Sequence, residues 1–228
     1  MVDSVVPDLP VPGSSDRTRL RRIPDKAVPE RLTAYEILDA GLVAHVAVLQ
    51  EGQPFVLPVG YARFGDEVLI HGSSGSRLFR VLAEGAPTCL TVTLLDGMVL
   101  ARSAFESSMH YRSVMALGSA RRLSGSEELE ALTVLTEHLL PGRSRDARPP
   151  SKKELAATMT LALPLDEISV KVSAGFPEDD PADLTDPIYS QIWAGIVPMS
   201  TQFGTPIPDQ FTPKNSPVPD YISTWRCE

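Results

Sequence analysis

Leu42-Val43-Ala44-His45-Val46-Ala47-Val48, then Glu51-Gly52-Gln53, then Pro54 to Tyr61: this succession decides how the chain is read. Two runs rich in valine, joined by a turn that carries glycine, form a hairpin. Valine packs well on a pleated surface, and glycine accepts the positive φ that a tight turn needs. Pro58 interrupts the ladder of the second run because it has no N–H to donate. Phe64-Gly65-Asp66 turns that run into a third strand at Val68–Ile70. Thr88 to Leu95 and Met98 to Ala104 flank Asp96-Gly97, a two-residue hairpin signal. Further strands are expected at Tyr111 to Arg121, Thr160 to Val172 and Ile192 to Val197. Six or seven strands with a few helices predict a mainly β fold, a closed or nearly closed antiparallel barrel.

Helices punctuate this pattern. Leu32, Tyr35, Glu36, Ile37 and Leu38 follow Pro29 and stop at Gly41, which reads as a short helix with an early proline and a glycine end. Ser124 with Glu127, and Ser151 with Glu154, have the spacing of capping boxes. The first leads into Leu129, Leu132, Leu135 and Leu139, a stripe at helical spacing that belongs to a core. Residues 1–16, rich in Pro, Ser and Asp, are expected to be a disordered tail, and residues 200–228 a proline-rich one. The folded domain is then 17–199. Arg17, Arg19, Arg21 and Arg22 open it, as either a solvated basic face or an anion-binding arm.

Composition excludes some classes of function. A net charge of −8 argues against a nucleic-acid or anionic-membrane partner. No apolar run reaches the roughly 20 residues that span a bilayer. The only cysteines are Cys89, inside a strand, and Cys227, so no disulfide framework is expected and a reducing cytoplasm fits. Metalloprotease, paired C-x-x-C, G-x-G-x-x-G, phosphate-loop lysine and nucleophile-elbow signatures are all missing. Of the four histidines, His45 is expected as a satisfied interior residue of its strand, and His138 as a cation in the last turn of its helix.

One loop stands apart. His71-Gly-Ser-Ser-Gly-Ser-Arg77 lies between the strand at Val68–Ile70 and the helical Leu78 to Leu82. Glycines admit close approach of a ligand, Ser73, Ser74 and Ser76 can donate to phosphate oxygens, and Arg77 carries a permanent planar charge. A surface helix capped by serine explains the same residues, so two readings stand open. A second polar group, Ser107-Ser108-Met109-His110-Tyr111-Arg112-Ser113, fits an exposed loop or a cofactor edge equally well.

Taken in order, His71 to Arg77, Asp96 to Phe105, Ser108 to Val114, Pro141-Gly142-Arg143, Lys171-Val172 and Trp193 to Pro198 resemble the pyridoxamine 5'-phosphate oxidase-like family. More narrowly, they are similar to its flavin-nucleotide-binding branch, which includes nitroimidazole-resistance reductases. The resemblance covers roughly residues 17 to 199 and implies an FMN-binding split β-barrel, a homodimer with FMN at the subunit interface. It implies that Ser73, Ser74, Ser76 and Arg77 hold the FMN phosphate, with Leu78 standing where the oxidases carry a lysine. Val56, Leu57, Pro58 and Val59 would run along the flavin ring. Tyr111, Arg112 and Ser113 match a cofactor-contacting segment in which Ser113 replaces a glutamine, and Trp193 matches an aromatic near the ring. Where relatives read Phe-His-His-Ser-Met-Asn-Tyr-Arg-Ser, this chain has Phe105-Glu106-Ser107-Ser108-Met109-His110-Tyr111-Arg112-Ser113.

The expected function is therefore an FMN-dependent oxidoreductase acting on a small molecule, with His71 or Glu106 as the proton-handling catalytic group. Residues that would hold a vitamin B6 phosphate are not recognisable, so that substrate is not inferred. Two alternatives remain from the same comparison. One is a flavin-binding or scaffold protein without catalysis. The other is a split barrel holding haem or a deazaflavin, with haem ligated by His71 or His110. The tail beyond Pro198 lies outside the resemblance and would either wrap the partner subunit or stay disordered.

Overall fold

The computed structural model describes residues 9–225. In chain order the elements are α1 (Arg31–Ala40), β1 (Val43–Gln50), β2 (Gln53–Phe64), β3 (Glu67–Ser73), α2 (Arg77–Ala83), β4 (Pro87–Leu100) and β5 (Ser108–Ser119). They continue with β6 (Arg121–Arg122), α3 (Gly125–Leu139), α4 (Lys152–Ala157), β7 (Thr158–Pro164), β8 (Glu167–Ser173), α5 (Pro181–Thr185), β9 (Gly195–Pro198) and α6 (Asp220–Ser223). Two compact units share these elements. One is built from the chain up to Gly41, Cys89–Gly118 and Leu165–Ser200; the other from Leu42–Thr88, Ser119–Pro164 and the chain from Thr201 onward.

In the second unit the strands lie in the order β6-β7-β3-β2-β1. The β1–β2 hairpin turns on Glu51 and Gly52, both at positive φ (51° and 77°), the backbone of the tightest hairpin turn. Helix α3 covers part of this sheet: Ala131 and Leu135 join Ala62, Leu69, Leu123 and Ala162 in one buried cluster. The leucine stripe is thus core at Leu135 (1% exposed), whereas Leu129 stands 46% exposed. The capping box at Ser151 and Glu154 forms in both directions, but Ser124 makes no cap bond, and Gly125 opens α3 at φ 62° instead. The expected strand from Thr160 to Val172 is divided into β7 and β8 across Leu165-Asp166, because β7 pairs with β3 and β8 pairs with β5.

Helix α2 is seated by a close approach. The Phe79 ring, 4% exposed, occupies the space that a side chain on Gly72 would need, so the end of β3 and the second residue pair of α2 meet without a gap. Leu78 and Leu82 are buried beside it. Residues 203–225 of the proline-rich tail also belong here. Trp225 Nε1 donates to the Pro141 carbonyl at 2.9 Å, and the Tyr221 hydroxyl donates to Asp146 at 2.8 Å. Phe203 packs against Trp225 with ring centroids 5.6 Å apart.

In the first unit β4, β5 and β8 are successive neighbours and β9 pairs with β4. The Asp96-Gly97 hairpin is not formed: β4 runs straight through it to Leu100. Gly97 does not take positive φ; it lies opposite Pro198, where a Cβ would meet the Val197 carbonyl at 2.9 Å. That glycine serves a close strand approach rather than a turn. Helix α1 buries Ala34, Ile37 and Leu38, and its Gly41 end closes with the Gly41 N–H donating to Ile37. Of the segment read as a disordered tail, residues 1–8 lie outside the described residues. From there on, the Gly13 N–H donates to Ile168 at 2.8 Å, and the Ser15 hydroxyl and Arg17 both donate to Glu167.

The acidic stretch at residues 178–180 has a structural task in this unit. Asp179, its side chain 4% exposed, accepts from the Arg102 N–H at 2.6 Å and from the Arg102 guanidinium at 2.7 Å. The Arg102 N–H first, and its guanidinium after it, hold the carboxyl below the usual aspartate range.

Two outcomes are expected from these contacts. Gly72→Ala forces the Phe79 ring out of its seat and costs about 1–3 kcal/mol, read as a lower denaturation midpoint in urea. A depressed carboxyl pKa contributes stability above its unfolded value, and that stability is lost as pH falls through the folded one. Asp179→Asn is therefore less stable than the native chain at pH 7, and the gap narrows below about pH 4. A gap independent of pH in acid denaturation contradicts this role.

Candidate functional site

The end of β3 delivers the chain into Ser73-Ser74-Gly75-Ser76, and the Phe79–Gly72 contact holds the start of α2 against that end. The loop is tied to itself and to the end of α4. The Ser74 N–H donates to Ala157 at 2.9 Å, the Ser76 N–H to Ser73 at 2.9 Å, and the Gly75 N–H to the Ser73 hydroxyl at 3.2 Å. The Ser74 hydroxyl reaches the Ala156 carbonyl. Ser73 and Ser74 thus shape the loop. Ser76 sits at the N-cap of α2 with extended backbone, yet its hydroxyl makes no cap bond. The serine-capped helix, one of the two readings of this loop, is not formed.

Arg77 follows directly. Its guanidinium lies 4.0 Å over the Phe55 ring and makes no ion pair among the described residues. An aromatic face orients the planar charge while leaving its N–H fork open. Phe55, Leu57, Val48, Gln50, Ser76 and Arg77, with Leu78, line a cavity of about 190 Å³. The donor set of Arg77, the Ser76 hydroxyl and the uncapped N–H groups of α2 fits a phosphate. Leu78, at the position of the missing lysine, is 4% exposed and packed with the core, so no cation comes from there.

The strand segment 56–59 divides by face. Leu57 lines the Arg77 cavity, and Val59 shares its side by alternation, whereas Val56 and Pro58 point the other way. Phe55 was not singled out from the sequence. Its signal was available in the period of two that links it to Leu57, but its contact with Arg77 joins residues 22 positions apart, across β3. His71 stands at the end of β3 opposite Thr160, exposed over part of its surface. The chain packed about it pushes its pKa below the ordinary histidine value, favouring the neutral ring. His45 is not interior, as its place in a strand had implied: β1 alternates, and His45 falls on the exposed side. The reason is that β1 buries only Ala44, Val46 and Val48.

The remaining candidates lie in the other unit. Arg112 donates to both carboxylate oxygens of Asp96 at 3.0 and 2.9 Å, which holds its guanidinium more firmly charged. Tyr111 faces Lys171, whose ammonium lies 5.2 Å from the ring centroid, and Ser113 pairs across the ladder with Lys171. Glu106 is half-buried, its N–H donating to the Ser103 hydroxyl at 3.1 Å. His110 Nε2 lies 2.7 Å from the Gly175 carbonyl. Trp193 is 64% exposed, its ring beside Gly195, so it is no core tryptophan. Of the arginine cluster, Arg17 pairs with Glu167 and Arg19 with Asp16.

The family model described as pyridoxamine 5'-phosphate oxidase matches residues 30–172. Among solved structures, the FAD and heme binding protein from Mycobacterium smegmatis is 40% identical, with a TM-score of 0.84 over 89% of this chain and 98% of that one. The flavocytochrome Anf3 from Azotobacter vinelandii is 40% identical, with a TM-score of 0.87 over 96% of this chain and 100% of that one. A putative 5-nitroimidazole antibiotic resistance protein from Bacteroides thetaiotaomicron shares the fold at 21% identity and a TM-score of 0.54, over 64% of this chain and 86% of that one. No curated protein matches the chain significantly. The antiparallel strands, the matched span and the 40% identity over most of the chain together place this chain in the pyridoxamine 5'-phosphate oxidase family, with its split-barrel fold.

Proposed function

We propose that this chain is a redox protein holding a flavin nucleotide and a haem, an oxidoreductase that acts on a small molecule. The observation that carries the reading is 40% identity to a FAD and heme binding protein and to a flavocytochrome, over 89% and 96% of the chain. Bound flavin supplies two-electron chemistry and haem supplies one-electron chemistry. FAD is favoured over FMN and over a deazaflavin, because the relative whose flavin is named holds FAD.

The chain's own residues support the flavin part. Arg77 presents its guanidinium, held flat on Phe55, to a phosphate, and Ser76 and the first N–H groups of α2 add donors. Phe55 and Leu57 give that cavity an apolar wall that sheds water from the charge contacts. At about 190 Å³ it is smaller than the 300 Å³ or more of a typical ligand pocket, so it takes one end of a nucleotide. We read the remaining surface as coming from a second copy of the chain, which makes the working form a homodimer. For proton handling we retain His71 and Glu106. A depressed pKa leaves His71 neutral at pH 7 and so an acceptor there, which leaves donation to other groups. The described residues include no helix long and apolar enough to cross a membrane. We read the chain as working in the cytoplasm.

Purified protein, supplied with FAD and hemin, is expected to show flavin absorption and a Soret band together. Flavin released by heating should run as FAD in chromatography. Arg77→Ala removes charge-assisted bonds of about 1.5–3 kcal/mol, which weakens flavin affinity roughly 10- to 100-fold in a fluorescence titration. Protein that takes up neither group under these conditions overturns the reading and leaves a scaffold role.

A further inference from the structure

We propose that His45 is the iron ligand of the haem and that the outward face of the β1–β2 ribbon is its seat; this rests on the haem-binding reading above. The face follows from the register. Val43 lies opposite Gly60, His45 opposite Pro58, Ala47 opposite Val56, and Leu49 opposite Pro54. Residues directly opposite each other in an antiparallel pair point to the same side. The reverse side carries Ala44, Val46 and Val48, all buried, with Phe55 and Leu57 facing the Arg77 cavity.

The outward side is apolar and uncovered. Val43 is 49% exposed, Leu49 64% and Val56 57%, and Pro54 and Pro58 are exposed between them. Contiguous exposed apolar surface of this kind marks a binding site. In its midst His45 is exposed and has no hydrogen bond, ion pair or ring contact among the described residues. A neutral imidazole with a free nitrogen is a common iron ligand, and the broad faces of a porphyrin require apolar lining around it. Gly60 and the two prolines keep the floor beside it low. At one end Leu139 of α3 closes the strip, its Cδ1 lying 3.0 Å from where a Cβ on Gly60 would stand.

The other histidines lack this setting. His110 Nε2 is engaged by the Gly175 carbonyl. The His138 ring packs on Tyr61, with centroids 5.5 Å apart. His71 is exposed, but its neighbours are Gly72, Ser73 and the cross-strand Thr160, and Ile70 before it is 2% exposed. Polar loop residues and buried side chains offer a porphyrin nothing to lie on. His45 alone among them joins an unengaged imidazole to an open apolar floor. Since Phe55 and His45 point to opposite sides of one ribbon, a single sheet layer separates the flavin cavity from the proposed haem face.

The test uses the full chain loaded with hemin and FAD, read by visible absorption and electron paramagnetic resonance. His45→Ala is expected to lose the wild-type Soret position and resonance signature while keeping its flavin, and added imidazole is expected to restore the signature. His71→Ala and His110→Ala are expected to keep the wild-type haem spectrum. If His45→Ala does not fold, His45→Tyr replaces the ligand and is expected to shift both spectra. A wild-type haem spectrum in either His45 variant overturns the assignment and leaves haem binding standing. A wild-type chain that takes up FAD but no hemin overturns the haem reading itself. Val56→Glu separates a second copy as the occupant: loss of haem supports the proposal, while a dissociated dimer with its haem spectrum intact overturns it.

Discussion

The contact between the Phe79 ring and the backbone at Gly72 is the constraint on which the loop from Ser73 to Arg77 depends. A loop of four small residues has little rigidity of its own, since serine and glycine bring almost no surface to bury. What locates it is the packing at either end: β3, paired on both edges, and α2, pressed onto β3 through Phe79, Leu78 and Leu82. With those ends held, Ser76 and Arg77 have one position to occupy. The absent lysine finds its explanation here as well. Position 78 belongs to the packed side of α2, and an ammonium there would be taken out of water without a partner.

The β1–β2 ribbon does two jobs because a strand alternates. One side carries the unit's core at Ala44, Val46 and Val48 and the wall of the Arg77 cavity at Phe55 and Leu57, and its other side faces outward with valine, leucine, proline and a histidine. An ordinary two-layer protein would place polar side chains there. The second side is thus as distinctive as the first.

Much of the fold was legible. Strands β1 to β3 and helix α1 followed from apolar periodicity and from glycine and proline punctuation, because those signals are local. Asp96-Gly97 misled for the same reason. The dipeptide has good turn propensity, but the pairing of β9 along β4, about 100 residues away, outweighed it. The loop from His71 to Arg77 was visible as a motif, yet Phe55 beneath Arg77 was not, since a cation over a ring is here a contact between a helix and a strand and not a pattern in either. The Arg102–Asp179 pair joins residues far apart in the chain, and no local pattern marks it. His45 was misassigned because a histidine in an apolar strand looks interior until the register shows which side is covered. Positions that depend on long-range register stay out of reach of a local reading.

The uncapped start of α2 has a thermodynamic consequence. Its first turn leaves N–H groups without an internal acceptor, so the end of this helix is held less firmly than its buried middle. An anion docking there would supply the missing acceptors and do the work that a serine hydroxyl does elsewhere. Occupancy and local order would then be two aspects of one equilibrium, with the helix end most firmly folded when an anion is in place.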